Sequence, residues 1–391
     1  MKDIEKSKEK IIEELEKRLS KDLTYDSGFI LGSMCTEPLK FATEIYTKYI
    51  TKNLGDPGLF PGTMELENEI IQEMGGLFGC RNVLGTITTG GTESNIIAMR
   101  IARNLFKNKK NPEFIVPASA HISFDKGAEL LKIALKKAKL KKDFSLDLNH
   151  LSSLISENTI GLVGVAGTTS LGLIDPIDKL ANISEENNLF LHVDAAFGGF
   201  VLPFLKELGY KIPSWDFSIK NVLSITADPH KMGLVPIPSG GFLIKPSSFY
   251  EEFGYEIPYL AGGGFKHFNI IGTRIGASAI AFWALWNYLG REGYKNIVKE
   301  CMETTFYFMK RIDEISGIKV VVKPIMNIIG ITTENGENIK IIDKELRKKK
   351  WKLGLFNNLK ILRAVIMPHV KKEHIDKFCI DLELITKKLF N

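Results

Sequence analysis

Only 4 of the 391 residues are cysteine, and Cys35, Cys80, Cys301 and Cys379 stand far apart. That spacing fits no zinc knuckle, C-x-x-C redox pair or disulfide framework, so the thiols are expected to be reduced and mostly buried. No run of roughly 18 apolar residues occurs, which leaves no candidate for a membrane-spanning helix. Met1 to Arg18 is charged throughout and lacks the apolar core of a signal peptide, so a cytoplasmic location is expected. Neither a Walker motif nor G-x-G-x-x-G is present, which removes the usual signatures of nucleoside-triphosphate and dinucleotide sites. Charge of one sign is scarce: 52 Lys and Arg against 46 Asp and Glu leave a net +6. The lysine runs at 107–110, 136–142 and 347–352 lack aromatic interleaving and fit solvated helix faces and loops. No nucleic-acid partner is expected, whereas an anionic cofactor or substrate suits the modest positive balance.

What remains is an ordinary globular composition, 44% hydrophobic and 25% charged, long enough for two domains. Ile4, Ile11, Ile12, Leu15 and Leu19 lie at helical spacing among Glu and Lys, which predicts an amphipathic N-terminal helix. From about 60 to 290, apolar runs (114–116, 160–166, 189–193, 222–226, 241–244) alternate with helical patterns such as 127–138 and 177–187. Strands alternating with helices predict an α/β fold with a mostly parallel sheet covered on both faces. A long helix is predicted over about 275–289. After Glu292 the pattern predicts helix (293–315), two strands (318–322, 327–333), helix (340–349), strand (361–367) and helix (372–390), a small α+β unit. The expected division is an N-terminal helical segment 1–52, a large domain 53–290 and a small domain 291–391.

In such sheets, ligands bind beyond the carboxyl ends of the strands. Two apolar runs end there in charged residues: Ser224 to Lys231, and Leu189 to Ala196 with Asp194. A lysine and a carboxylate on neighbouring strand ends can grip both ends of one pyridine ring. The lysine would form a Schiff base and the aspartate would pair with the ring nitrogen, which is what pyridoxal phosphate (PLP) needs. Thr88 to Asn95 reads Thr-Thr-Gly-Gly-Thr-Glu-Ser-Asn and runs straight into a helical pattern. Glycines let backbone approach an anion, and the helix start offers free amides at Gly91 to Glu93, with Thr92 and Ser94 as hydroxyl donors. His121 follows another strand and can stack on a flat ring, while Ala196 is small enough for the opposite face. Each residue alone has a plain alternative: a Gly-Gly turn, a surface histidine, a turn aspartate, a loop lysine. Their recurrence after successive strands is what favours a site.

As a set, these motifs resemble the group II PLP-dependent decarboxylases of fold type I. The resemblance covers about 53–385 and rests on six segments: Asn53 to Thr63, Gly-Gly-Thr-Glu-Ser-Asn, Ala-His-Ile-Ser-Phe, Ala166 to Gly172, His-Val-Asp-Ala-Ala-Phe-Gly-Gly and Asp-Pro-His-Lys-Met-Gly. Within the family the chain is most similar to the archaeal L-tyrosine/L-aspartate decarboxylases of methanogens, through Pro-Ile-Pro-Ser-Gly-Gly and Leu362 to Val370. The resemblance implies a seven-stranded, mostly parallel sheet, a small C-terminal domain, PLP as cofactor and a homodimer with its site at the interface. It implies decarboxylation of an L-amino acid: first L-tyrosine to tyramine, for methanofuran, and also L-aspartate to β-alanine, for coenzyme A. Lys231 would hold the cofactor, Asp194 its ring nitrogen, and His121 and Ala196 its two faces. Thr92 and the Glu93 backbone would hold the phosphate, with Ser239 or Gly240 nearby. Thr169 would lie close to the ring, and His230 beside the phosphate and the lysine.

Lys231, Tyr259 and His267 are candidates to return a proton to the α-carbon. Arg274 and Arg363 are candidate carboxylate partners or structural ion-pair residues. Residues 258–273 carry three consecutive glycines and fit a mobile catalytic loop. Two other readings stand beside this one. A carbon–carbon lyase of the sphingosine-phosphate lyase type also resembles the chain around Asp194 and Lys231, although Met232, Gly233 and Pro236-Ile237-Pro238 depart from its Tyr-Gly-x-x-Pro-Lys-Gly pattern. The other is a non-catalytic phosphate- or nucleotide-binding protein.

Overall fold

The computed structural model describes residues 6–246 and 254–390; Ile4, counted above in the first helix, lies outside them. The larger sheet contains β1 (Leu84–Thr88), β2 (Glu113–Pro117), β3 (Ala134–Ala138), β4 (Thr159–Val165), β5 (Phe190–Asp194), β6 (Ser224–Ala227) and β7 (Gly240–Ile244). Its order is β1-β7-β6-β5-β4-β2-β3. β3, β2, β4, β5 and β6 run parallel, and β7 is antiparallel to both β1 and β6. Every residue of β4, β5 and β6 is buried, which is why they appear in sequence as unbroken apolar runs.

Successive residues of these strands enter opposite cores. Val163, Phe190 and Phe242 pack with Ile97 and Ile101 of the helix Gly91–Leu105. Leu162, Leu191 and Leu243 pack with Ile177 and Leu180 of the helix Ile177–Glu186. Both faces are therefore covered, and the carboxyl ends of β4, β5 and β6 open side by side.

The helical pattern expected over 127–138 is corrected by the structure. The helix Ser123–Leu131 stops at Lys132, which adopts φ 53, and the chain continues as β3. β3 is an edge strand with little buried surface, so it lacks the apolar run of its neighbours and its lysines mimic a polar helix face. Lys136 pairs with Glu113 at 2.6 Å, and Lys137 with Asp125 at 2.6 Å.

A hairpin of β8 (Tyr255–Ile257) and β9 (Phe265–His267) precedes the second unit. That unit is an antiparallel sheet of β10 (Ile318–Val320), β11 (Ile328–Thr333), β12 (Gly354–Phe356) and β13 (Ile361–Val365), in the order β10-β11-β13-β12. Phe308, Ile329, Leu362 and Phe378 centre its own core. A helical stretch, Ala277–Asp313, links the two units and is interrupted at Gly290, beside the boundary expected at 290/291. Within it Gly290 leaves helical geometry at φ 57, a conformation open to glycine. The N-terminal segment is not a separate layer: Leu31 enters the core of the smaller unit, and Leu31 and Gly32 donate to the Lys352 carbonyl.

Candidate active site

The ends of β4, β5 and β6 and the start of the helix Gly91–Leu105 surround a cavity of about 380 Å³. Gly91, Thr92, His121, Thr169, Asp194, Ala196, His230 and Lys231 all line it, so most of the expected site residues come together.

β6 delivers Lys231 through the turn Asp228–Lys231, in which the Lys231 amide donates to the Asp228 carbonyl at 3.0 Å. Lys231 Nζ lies 3.1 Å from Asp228 Oδ2. Burial pulls the ammonium down, but the Asp228 and Asp194 carboxylates outweigh it and hold the lysine above its ordinary value. At the end of β5, the buried Asp194 accepts from the Ala196 amide at 3.0 Å and from Asn95 Nδ2 at 3.0 Å. His121 Nδ1 accepts from the Ser123 amide at 3.2 Å. Burial lowers the His121 pKa more than the Asp194 charge raises it, which favours a neutral ring. His230 is likewise lowered by burial, and its Nδ1 accepts from the Ser239 amide at 3.2 Å.

The phosphate cradle has a physical basis. No side chain caps the helix that starts at Gly91, so its first amides are free to meet an anion. Gly90 sits at φ 153, ψ 175, and a Cβ there would meet His230 Cε1 at 2.9 Å. A Cβ on Gly91 would meet Asp228 Oδ2 at 2.9 Å, so both positions need glycine.

The other expected residues take different places. Glu93 points its carboxylate away from the cavity: it accepts from the Thr89 amide at 2.8 Å, the Thr89 hydroxyl at 2.9 Å and the Ile270 amide at 3.2 Å. Its backbone, the part expected to hold the phosphate, is what is left for an anion. The Ser94 hydroxyl is engaged by Thr88 at 2.8 Å. Ser239 and Gly240 stand behind the cradle, where a Cβ on Gly240 would meet Gly90 Cα at 2.5 Å. Tyr259 is 83% exposed, and His267 lines a different cavity of about 350 Å³ with Glu67 and Arg274. Neither lies with Lys231.

The two arginines separate cleanly. Arg274 holds Glu67 with both terminal nitrogens, one of them at 2.7 Å, and donates to the Ile87 carbonyl at 3.0 Å. Arg363, on β13, donates to the Thr169 carbonyl at 2.9 Å and to the Gly32 carbonyl. Among the described residues it has no carboxylate partner, its Nε is buried without a hydrogen bond, and burial lowers its pKa to about 10. Sequence reasoning missed Asp228 and Asn95. Both stood inside the quoted motifs, and an acidic residue three positions before the lysine was the available signal.

An amine, a carboxylate opposite it, a neutral imidazole and an uncapped helix start fit PLP and define an α/β enzyme built around that cofactor. The family model described as the pyridoxal-dependent decarboxylase conserved domain matches residues 1–332. The chain belongs to this family: it is a PLP-dependent amino-acid decarboxylase. It is 46% identical over 383 residues to the L-aspartate decarboxylase of Thermococcus kodakarensis, covering 98% of each chain. It is 42% identical over 385 residues to the probable L-tyrosine/L-aspartate decarboxylase of Methanosphaera stadtmanae, again covering 98% of each. Among solved structures it is similar to a sphingosine-1-phosphate lyase of Burkholderia pseudomallei, at 27% identity and a TM-score of 0.90, covering 99% of this chain and 92% of that one. The non-catalytic alternative is thereby set aside. Among the described residues no helix is long and apolar enough to cross a membrane.

Proposed function

We propose that the enzyme removes the α-carboxylate of L-aspartate, giving β-alanine. Motif resemblance put tyrosine first; the relatives' names reverse that order, because aspartate is named both for the Thermococcus enzyme and for the methanogen one. The observation that supports the reading is Arg363, a buried guanidinium with no acidic partner among the described residues, which stands behind Thr169 at the cavity wall and in this reading is the partner of the substrate's carboxylate. The cavity supports a small side chain. Its volume of about 380 Å³ is near the low end of ligand pockets, roughly 300–1,000 Å³, before any cofactor enters.

When bound, PLP supplies an electron sink for the bond to the departing carboxylate. Lys231 anchors the cofactor and, held protonated beside Asp228, is the group placed to return a proton to the α-carbon. Tyr259 and His267 stand elsewhere in the chain, which favours Lys231 in that role. Asp194 would hold the ring nitrogen, and His121 and Ala196 would cover the two ring faces. Met34, Val165 and Phe197 exclude water from the remaining wall. The active unit is a homodimer in this reading. An apolar groove of about 860 Å³ lined by Phe41, Leu59, Phe60, Trp283 and Tyr288 supports it.

The test is carbon dioxide release from L-aspartate, L-glutamate, L-cysteate, L-tyrosine and L-phenylalanine. Aspartate is expected to give the highest kcat/KM. A higher value for tyrosine would overturn the substrate assignment, and no release from any of them would favour the carbon–carbon lyase reaction. Lys231→Ala is expected to lose both activity and the visible cofactor band.

A further inference from the structure

Behind Asp194 lies a line of buried side chains that the reaction itself does not use. Asn95 Nδ2 donates to Asp194 Oδ2 at 3.0 Å and to Ser123 Oγ at 2.9 Å. Asn95 Oδ1 lies 3.0 Å from His192 Nε2, and His192 Nδ1 lies 2.8 Å from Ser224 Oγ. Asn95, His192 and Ser224 are all fully or almost fully buried.

The directions of these bonds are forced. A carboxylate accepts, so the Asn95 amide nitrogen faces Asp194 and its carbonyl faces inward. That carbonyl accepts, so His192 carries its proton on Nε2, with Thr226 Oγ1 at 3.3 Å beside it. In a neutral ring Nδ1 is then bare and accepts from the Ser224 hydroxyl. Burial pushes the His192 pKa down to about 4, in keeping with that neutral ring.

We propose that Asn95, His192 and Ser224 form a chain of positioning residues that locks the orientation of the Asp194 carboxylate toward the cofactor's ring nitrogen. The chain aligns dipoles and carries no proton, because the amide between His192 and Asp194 cannot pass one on without losing its own donor. The inference rests on the reading of Asp194 as the partner of the ring nitrogen.

The experiment measures the PLP dissociation constant of stripped enzyme, and the pH at which the bound cofactor's absorbance changes. The variants are Asn95→Ala, His192→Leu, His192→Gln, Ser224→Ala and Asp194→Ala. The charged and titratable groups acting on the Asp194 side of the cavity are Lys231 and Asp228 from the turn after β6, His121 and Lys126 from the segment after β2, and His192 on β5 itself. All of them are retained in Asn95→Ala and Ser224→Ala.

Asn95→Ala and His192→Leu are expected to weaken PLP binding roughly tenfold and to move the absorbance transition. His192→Gln can still donate to Asn95 and accept from Ser224, so it is expected to behave like the parent. Ser224→Ala removes little volume and serves if His192→Leu does not fold. Parent-like affinity and transition in Asn95→Ala, with a loss in Asp194→Ala, would overturn the chain and leave the Asp194 assignment standing. Parent-like affinity in Asp194→Ala would overturn the assignment itself.

Discussion

Arg363 and Arg274 are both buried, yet their substitution should be felt in different experiments. Arg363 donates to two carbonyl oxygens and has no carboxylate partner among the described residues, so Arg363→Met strands no opposite charge but leaves those two carbonyls without this donor. A fall of roughly 100-fold in kcat/KM, carried mainly by KM, is expected, with a loss of stability of only about 1–2 kcal/mol from the carbonyls left without a donor. Arg274→Met would strand the Glu67 carboxylate and is expected to destabilise the fold by about 3–5 kcal/mol, read by denaturant melts. From sequence alone these arginines had equal standing, because their difference lies in what tertiary packing brings against them. Asp175 adds a pH dependence of its own. Burial pushes its pKa from 3.8 to about 7, although the Val165 amide bond at 2.8 Å acts the other way. The folded chain binds that proton more tightly than the unfolded one. The resulting stability is full below pH 3.8 and is lost as the pH rises to about 7. Asp175→Asn keeps an acceptor for Val165, and is expected to flatten stability over that window by an amount on the order of a few kcal/mol, measured by urea melts at several pH values.

The segment around the three glycines is less free than its composition suggests. The Gly262 amide donates to Asp56 at 3.2 Å, and a Cβ on Gly262 would meet Gly58 Cα at 2.5 Å. Gly263 takes φ +102, whereas a Cβ on Gly264 would meet no atom closer than 3.8 Å. One glycine is thus a close-packed latch, one a turn, and one open. Gly262→Ala is expected to release the latch, speeding protease cleavage within 254–276 and lowering kcat several-fold while the global melting temperature holds. Element by element, the buried parallel strands were legible because both their faces are apolar. The exposed edge β3 and the three-residue β12 were not, because neither carries a periodic apolar signal. The ends of β5 and β6 were legible for a different reason: Asp194 and Lys231 are chemically conspicuous where strands end.

At the scale of the molecule, the two sheets are linked by a helix that breaks at Gly290, beside the boundary expected at 290/291. Gly290, at φ 57 and ψ -174, interrupts the helical backbone where the composition changes. The groove beside that helix exposes Leu59 and Tyr288. Ala284→Arg would place a charge in the middle of the groove, and is expected to shift light scattering from dimer to monomer with loss of activity.

The ion pairs along β3 bear on the life of the protein before it is finished. An open sheet edge can accept a strand from a neighbouring chain, and newly made or heat-loosened molecules are the ones at risk. Here that edge carries Lys136 and Lys137, each already matched to an acid of its own chain. A second copy arriving edge-on meets bulky, satisfied charges instead of a bare ladder. The same lysines that disguised β3 as a helix therefore guard a crowded cell's supply of this enzyme against fibrous association.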